Sequence, residues 1–238
     1  MTAEQATSSL WLKLRNGRIT SSVAGQIFHR RKTTSPDKLV SSLMGYDRKD
    51  LSTAAVSWGK RNETIARKAY MEHMQGHGHA GLKVQPSGLT ICPSVTYIGA
   101  SSDGIVIDPS VSHSRGCLEI KCPFSVDGYQ VTDFRPQEIP LIADLKFFME
   151  EVESDGGQSL QLWRSNNHYC QVMCEMAVLE VPWCDFVVWT PAGVYVQRID
   201  FDEHFWNCEL LPKLEEFFAK YLLIEIVTRR IQRRQSLL

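Results

Sequence analysis

Two short segments carry the residue types that could do chemistry in this chain. Residues 101–104, SSDG, lead into an apolar run, and residues 118–121, LEIK, follow after an intervening loop. Successive side chains of a β-strand point to opposite faces, so Glu119 and Lys121 share one face and the two apolar residues share the other. The charged pair therefore suits a site at a sheet edge, with Asp103 arriving from a neighbouring strand.

Two carboxylates that face one point make an oxygen-rich site of the kind that Mg²⁺ or Mn²⁺ prefers. A lysine beside them can orient or activate a water, or stabilise a developing negative charge. Such a set of groups suits the cutting of a phosphodiester. Acidic and basic residues also alternate on many solvated strands, so this pattern alone leaves that plainer interpretation open.

The elements that must position these residues follow from apolar periodicity, capping residues and turn residues. Helices are predicted at about residues 11–15, 20–29, 36–43 and 54–73. Strands are predicted at residues 82–84, 89–92, 97–100, 104–108 and 116–121. A buried helix over 167–180 precedes a hairpin of strands 184–190 and 194–199, which turns at 191–193. A final helix starts at Asp202, and Pro212 should break or kink it near Leu211. Residues 124–166 give no clear pattern beyond a turn at 155–157.

The composition is that of an ordinary globular protein, with 238 residues, 43% of them hydrophobic and 22% charged. One domain over residues 1–238 is the simplest interpretation. No apolar run is long enough to span a membrane. The polar N-terminus shows no secretory leader, and seven cysteines without a CxxC are typical of reduced thiols. We therefore expect an intracellular protein, with nucleus and cytoplasm left open.

The net charge of −1 counts against a free-standing nucleic-acid binder, although an enzyme can confine its positive charge to one groove. Basic residues cluster in four places: Arg15 and Arg18; Arg30, Arg31 and Lys32; Lys60, Arg61, Arg67 and Lys68; and Arg229, Arg230, Arg233 and Arg234. The last cluster is either a nuclear address or a solvated tail. His73, His77 and His79 have no fourth ligand of matching spacing, which favours an exposed loop over a zinc site.

Two further features each allow two interpretations. Gln171 lies in a helix that is apolar nearly all round, and a buried amide must find hydrogen-bond partners. Its partner is either nearby backbone or the acidic site, where the amide would hold a water or a phosphate. Arg15 and Ser22 flank an Asn-Gly turn at a helix start, where backbone amides and a guanidinium can make a phosphate pocket. Arginines before capped helices are also common without that role.

The order of these segments resembles the lambda-type phage exonucleases and the YqaJ-type viral recombinase family. Residues 11–22, WLKLRNGRITSS, resemble the opening motif of that family, and residues 58–67, WGKRNETIAR, look like its second motif. Residues 101–104 and 118–124 look like its catalytic core. Residues 168–173, HYCQVM, resemble its glutamine-bearing helix.

The closing hairpin of the family is similar to residues 183–187, WCDFV, and to the strand that ends in RID at 198–200. The resemblance covers about residues 10–218, and only the ordered set of motifs is specific. Residues 124–166 match the family poorly. A basic tail at about 228–238 lies beyond the region of resemblance. Ser102 replaces the usual proline before the aspartate, and Met173 stands where a second glutamine is frequent. Neither departure removes a catalytic group.

The resemblance implies a restriction-endonuclease-like α/β fold, a mixed central β-sheet flanked by α-helices. It implies two Mg²⁺ or Mn²⁺ ions, whose ligands would be Asp103, Glu119, the backbone carbonyl of Ile120, and Glu63. Lys121 would orient or activate the attacking water, and Gln171 would support the water or the phosphate. The terminal 5′ phosphate and the DNA would be held by Arg15, Arg18, Ser22 and Ser101.

The implied activity is a divalent-metal-dependent 5′-to-3′ exonuclease on double-stranded DNA, working in recombination or repair. Its implied partners are DNA with a free 5′ end, two further copies in a homotrimer, and a single-strand annealing recombinase. An endonuclease or nickase on the same fold is the alternative among enzymes. A non-catalytic DNA-binding module is one alternative outside enzymes, and the intact Asp103, Glu119 and Lys121 argue against it. A structural interaction protein is another; it would use the helix of Phe217 and Phe218 and the basic tail, which fit a core helix and a solvated segment better.

Overall fold

The computed structural model describes residues 8–46, 53–124, 149–154, 157–191 and 193–237. Four helices form its N-terminal part: α1 Ser9–Arg15, α2 Ser21–Phe28, α3 Asp37–Met44 and α4 Ala54–Gly76. The hydroxyls of Ser8 and Thr53 cap α1 and α4 by accepting bonds from backbone N–H groups of the first turn. The four predicted helices are therefore present, and α4 is three residues longer than expected. Among the described residues, no helix is both long and apolar enough to cross a membrane.

The described residues include ten strands, which follow or separate these helices. They are β1 Ile19–Thr20, β2 Lys83–Gln85, β3 Thr90–Ile91, β4 Ile98–Ala100, β5 Gly104–Ile107, β6 Arg115–Lys121, β7 Met149–Ser154, β8 Gly157–Leu162, β9 Trp183–Thr190 and β10 Gly193–Asp200. The central sheet has the order β10-β9-β6-β5-β2, in which β6 and β9 are parallel and the other neighbours are antiparallel. A small sheet of order β1-β4-β3 lies apart from it. The predicted mixed sheet with flanking helices is confirmed.

Strand β6 lies between two hydrophobic cores. Its side chains alternate, so Leu118 and Ile120 pack with Trp58 and Tyr70 of α4 on one face. Cys117, on the opposite face, belongs to the core that contains helix α5, Asn167–Leu179. The charged residues that follow Cys117 on that face therefore point towards α5.

Helices α2 and α5 approach each other closely at Gly25. A Cβ atom at this position would lie 2.7 Å from the backbone oxygen of Asn167, a distance that real Cβ atoms essentially never show. Only glycine fits here without moving one of the helices. The close packing places the first turn of α2 beside the side chains of α5.

The C-terminal helix corrects one prediction. Asp202 caps it, as expected, by accepting a bond from the N–H of Phe205. The helix does not break at Pro212, but alternates π-helical turns, Phe205–Leu210 and Phe218–Leu222, with α-helical segments Leu211–Phe217 and Leu223–Thr228. Leu211 donates to the carbonyl of Trp206, five residues earlier, so the bonding pattern has already shifted before the proline. The missing N–H of Pro212 therefore does not interrupt the helix.

The tail after this helix folds back on α3. The Asp37 carboxylate accepts bonds from the Ser236 hydroxyl and the Leu237 N–H, at 2.8 and 3.1 Å. The four tail arginines are exposed. Strands β7 and β8 form an antiparallel hairpin in a segment that gave no clear pattern. Residues 155, 156 and 192, which belong to two of the predicted turns, lie outside the described residues, as do residues 125–148.

Candidate active site

Asp103 lies just before β5 and against strand β6. Its N–H donates to the carbonyl of Leu118 at 2.9 Å, and its Oδ2 accepts a bond from the N–H of Ile120 at 2.7 Å. These bonds come from the residues on either side of Glu119 in the chain. The structure thereby brings the Asp103 carboxylate to the strand that carries Glu119 and Lys121.

Each of the residues Glu119, Lys121 and Gln171 forms a hydrogen bond with the other two. The Lys121 ammonium donates to Oε1 of Glu119 at 2.6 Å and to Oε1 of Gln171 at 3.1 Å. The Gln171 amide donates from Nε2 to Oε1 of Glu119 at 2.6 Å. Glu119 and Gln171 are buried, with 4% and 9% of their surface exposed. Gln171 therefore faces the acidic site, which was one of its two interpretations.

The amide of Gln171 also reaches a residue that the sequence analysis did not identify. Its Nε2 lies 3.0 Å from Oε1 of Glu175, and the same oxygen accepts a bond from the hydroxyl of Ser21 at 3.1 Å. Glu175 is fully buried, and burial followed by the nearby Glu119 raises its pKa well above the usual range. A polar residue inside an apolar helix was the available signal for Glu175, as it was for Gln171.

Glu63 stands on α4 at the edge of this group. The Arg67 guanidinium donates to Oε1 of Glu63 at 2.8 Å and to the backbone carbonyl of Asp103 at 2.7 Å. One arginine therefore joins the long helix to the acidic segment. The sequence marked Arg67 only as a member of a basic cluster. Its position four residues after Glu63 on a helix was the signal that could have identified the ion pair.

The electrostatics of the group suit a divalent cation. Burial, then the charges of Glu119 and Glu63, raise the pKa of Asp103 well above its usual range. Crowded carboxylates of this kind repel one another until a cation neutralises them. The bonds described above use only Oδ2 of Asp103 and Oε1 of Glu119, so the second oxygen of each carboxylate can ligate. Hard oxygen donors of this kind fit Mg²⁺ or Mn²⁺.

The Lys121 ammonium lies among the same carboxylates. Its desolvation lowers its pKa, but the charge and the hydrogen bond of Glu119 outweigh that effect and the net pKa is raised. Lys121 is therefore protonated at neutral pH in the metal-free protein. In that state it donates hydrogen bonds and carries no free electron pair.

His168 borders Gln171 from one turn earlier on α5. Burial, followed by the charge of Lys121, lowers the pKa of His168 to about 3, although a hydrogen bond with Gln171 acts in the opposite direction. The imidazole is neutral at physiological pH. His168 belongs to the motif at residues 168–173, whose residue types alone indicate no role for it.

A second group of polar residues lies between α1 and the start of α2. The Arg15 guanidinium donates to the hydroxyls of Thr20 and Ser22, at 3.1 and 3.3 Å, and its central carbon lies 4.1 Å from the ring centre of Trp11. The Trp11 indole donates to the Ser101 hydroxyl at 2.9 Å. The structure thus links Arg15, Ser22 and Ser101, and Ser101 is two residues before Asp103.

Arg18 has different partners. Its guanidinium donates to the backbone carbonyls of Leu14 and Thr96, the latter at 3.1 Å. These bonds tie α1 to the turn before β4. Its predicted contact with DNA rests on the resemblance alone.

The three histidines of the Gly-rich turn do not share one centre. The rings of His73 and His77 stack at 4.2 Å, whereas Nδ1 of His79 lies 2.7 Å from Oδ2 of Asp108. Asp108 in turn pairs with Arg198, which makes two bonds to Asp185. His79 therefore joins, by a hydrogen bond, the polar network that Asp108 forms with Arg198 and Asp185.

Comparison with solved structures identifies the fold. An alkaline exonuclease from Laribacter hongkongensis aligns with a TM-score of 0.64 at 23% identity, over 95% of this chain and 97% of that one. The same enzyme in complex with dAMP aligns with a TM-score of 0.66 at 23% identity, over 95% and 98% of the two chains. The shutoff and exonuclease protein of Kaposi's sarcoma-associated herpesvirus aligns with a TM-score of 0.50 at 11% identity, over 92% and 70%. At these identities the likeness shows a shared fold.

No curated protein matches the chain in sequence. The model of the YqaJ-like viral recombinase domain matches residues 10–181, well over half of the chain. The matched region contains Arg15, Glu63, Asp103, Lys121 and Gln171, and so most of the geometry described above. The chain belongs to the YqaJ-like viral recombinase domain family.

Proposed function

We propose that this protein is a divalent-metal-dependent deoxyribonuclease that digests double-stranded DNA from its 5′ ends, in recombination or repair. One observation carries the proposal: Asp103, Glu119, Lys121 and Gln171 converge at the end of two paired strands. The family and the shared fold support it, since the aligned Laribacter and herpesvirus proteins are named as exonucleases.

The metal site would consist of Asp103, Glu119, the carbonyl of Ile120 and, for a second ion, Glu63. Mg²⁺ or Mn²⁺ suits these oxygen ligands. Bound there, such ions would neutralise charge on the phosphodiester and stabilise the attacking and the leaving oxygens of its hydrolysis. The crowding that raises the pKa of Asp103 supports this assignment.

The role of Lys121 follows from its hydrogen bonds. Two of its three ammonium protons point to Glu119 and Gln171, which leaves one for a water or a phosphate oxygen. A protonated lysine held in this way orients the water and stabilises the charge that develops on the phosphate. Gln171 helps to keep the ammonium in place as its second acceptor.

The Arg15–Ser22–Ser101 group would hold the terminal 5′ phosphate. A guanidinium and two hydroxyls match the acceptor oxygens of a phosphate, and the amides at the start of α2 add further donors. The distance from Ser101 to Asp103 is two residues along the chain, so a phosphate held there lies close to the metal ligands. Arg18 would contact the DNA nearby.

We also propose that the protein acts as an assembly. The family resemblance supports a homotrimer around DNA and an annealing recombinase as partner. The C-terminal helix offers exposed apolar side chains for such a contact, with Leu223, Ile226 and Val227 exposed by 42%, 38% and 73%. Light scattering of the purified protein at several concentrations measures its oligomeric state directly.

Digestion of a linear duplex tests the activity. The purified protein is mixed with Mg²⁺ or Mn²⁺ and with three DNAs of one sequence: linear with 5′-phosphate ends, linear with 5′-hydroxyl ends, and a closed circle. We expect the 5′-phosphate duplex to be lost fastest and the circle to stay intact. Cutting of the circle would reassign the same site to an endonuclease or nickase.

Two substitutions test the site within the same assay. Asp103→Asn and Lys121→Ala should each abolish digestion while the proteins stay folded. Asp200→Asn and Lys83→Ala serve as matched controls, because both residues are exposed on other strands. Wild-type digestion by either site variant would show that the site is wrongly assigned, and no digestion by the wild type would favour a DNA-binding module.

A further inference from the structure

Glu175 is an unusual residue to find inside the core. It is fully buried on α5, and Oε1 accepts bonds from Ser21 and Gln171. Its second oxygen, Oε2, has no hydrogen-bond partner among the described residues, and a carboxylate oxygen of Glu175 lies within 4.8 Å of the thiols of Cys117 and Cys184. A buried carboxyl group with one unpaired oxygen destabilises a fold, and an apolar residue of similar size would often be more stable. Stability therefore does not explain Glu175.

The bonds of Glu175 join the two halves of the site. One runs to Ser21, the first residue of α2 and the neighbour of Ser22 in the phosphate pocket. The other runs to Gln171, which bonds directly to Glu119. A continuous path of hydrogen bonds therefore leads from the start of α2 to the acidic site.

We propose that Glu175 is a positioning residue that couples the terminal-phosphate pocket to the acidic site through Ser21 and Gln171. This inference rests on the proposed function and gives a physical reason for a preference for 5′-phosphate ends over 5′-hydroxyl ends. A phosphate bound at the start of α2 fixes the position of Ser21. The hydrogen bonds from Ser21 to Glu175 and from Glu175 to Gln171 then fix the side chains that hold the water.

The orientation of the Gln171 amide depends on this arrangement. Its two N–H bonds go to two carboxyl groups, and its oxygen faces the Lys121 ammonium, so only one of its two flipped orientations satisfies all three. Without an acceptor at position 175 the amide loses one of the contacts that select that orientation. The lysine then loses a fixed acceptor.

Ser21 and Glu175 can be changed separately. Ser21→Ala removes only the bond to α2. Glu175→Met keeps the length of the side chain but removes both bonds, whereas Glu175→Gln keeps an oxygen that can accept them. Cys174→Ala is the matched control, because it removes a buried thiol of the hydrophobic core from the adjacent position of the same helix.

The readout is the ratio of kcat/KM for 5′-phosphate ends to that for 5′-hydroxyl ends, with Mg²⁺. We expect Ser21→Ala and Glu175→Met each to lower the ratio by about tenfold, as for a lost hydrogen bond to a charged group. The double variant should lower it no further than Glu175→Met alone, because both changes cut one path. Glu175→Gln should have a ratio close to that of the wild type, and Cys174→Ala should have the wild-type ratio.

A second measurement does not depend on catalysis. Fluorescence anisotropy in EDTA compares the binding of labelled duplexes with phosphate or hydroxyl 5′ ends, and the same variants should lose the preference. Chemical unfolding should show that Glu175→Met is at least as stable as the wild type.

The outcomes separate this inference from the proposed function. A wild type that digests no DNA contradicts the function itself. A wild type that prefers 5′-phosphate ends, with Ser21→Ala and Glu175→Met keeping that preference, overturns only the role of Glu175. The inference is also overturned if the wild type digests both ends equally, or if Cys174→Ala lowers the ratio as much as Glu175→Met.

Discussion

The Gln171 amide nitrogen lies 2.6 Å from Oε1 of Glu119 and joins the buried helix α5 to the charged face of strand β6. The same side chain accepts a bond from Lys121 on that strand. One neutral residue therefore holds a carboxylate and an ammonium group in fixed positions.

Replacement of Gln171 should slow digestion of DNA without unfolding the protein. Gln171→Leu removes the bonds to Glu119 and Lys121, and we expect kcat to fall by about tenfold to a hundredfold, the range for misplaced catalytic groups. Gln171→Glu should be worse, because it adds a further carboxylate to a crowded site. Single-turnover digestion of a labelled linear duplex measures both. If Gln171→Leu digests DNA at the wild-type rate, the amide has no part in catalysis.

Asp103→Asn should make the metal-free protein more stable while it abolishes activity. Burial and two neighbouring carboxylates raise the pKa of Asp103, so its ionised form destabilises the fold at neutral pH. In EDTA we expect Tm to rise by a few degrees, since about 1 kcal/mol shifts Tm by roughly 2–4 °C for a chain of this size.

Added Mg²⁺ gives the second half of that test. It should raise the Tm of the wild type by binding the folded state, and raise that of Asp103→Asn much less. Asp200→Asn, on the exposed side of β10, should behave as the wild type does. An unchanged response of Asp103→Asn to Mg²⁺ would remove Asp103 from the ligand set.

The stability of the protein should depend on His168 in acid. Its pKa is about 3 in the folded state, against 6.5 for a freely exposed imidazole, so below pH 6.5 the unfolded chain binds a proton that the folded one does not. Stability is therefore lost as pH falls from about 6.5 to 5, by on the order of 1–2 kcal/mol.

Urea unfolding at pH 7.5, 6 and 5 measures this effect. His168→Gln should flatten the loss relative to the wild type, and His204→Gln, at an exposed position, should not. Equal pH slopes for the wild type and His168→Gln would contradict the buried, neutral imidazole.

A network on the other face of the sheet should matter for stability alone. The buried Tyr70 hydroxyl donates to Oδ2 of Asp185 at 2.6 Å, and Arg198 makes two bonds to the same carboxylate. Tyr70→Phe should lower the free energy of unfolding by about 1–2 kcal/mol. Asp185→Asn should lower it by about 2–4 kcal/mol, because it leaves the Arg198 charge without its main partner.

Digestion assays well below the melting temperature complete that test. Both variants should digest linear DNA within about twofold of the wild-type rate, since neither residue touches the acidic site. A large loss of activity in a variant that is as stable as the wild type would show that this network influences the acidic site through β9 and β6.

Much of this architecture could be predicted from the sequence, because β6 has a strict two-residue alternation. That alternation placed Glu119 and Lys121 on one face and the apolar residues on the other. Helices α1 to α5 were also predictable, since each has a capping residue or an apolar stripe. These signals are local, and local signals can be recognised in one chain.

The remaining features depend on contacts that are distant in the chain. Strand β1 has two residues, too few for any period, and exists because it pairs with β4. The passage through Pro212 depends on a π-helical turn, which has no sequence signature of its own. Glu175 was visible as a charge in an apolar helix, but its partner Ser21 is 154 residues away.

The alternation on β6 also limits how this site can change. Three successive positions on one face hold a core thiol, a carboxylate and an ammonium, at Cys117, Glu119 and Lys121. Insertion or deletion of a single residue upstream in the strand would turn the carboxylate into the apolar core and bring a leucine or isoleucine to the site. Substitution can adjust the chemistry one group at a time, whereas a change of length by one residue exchanges the reactive face and the packing face together.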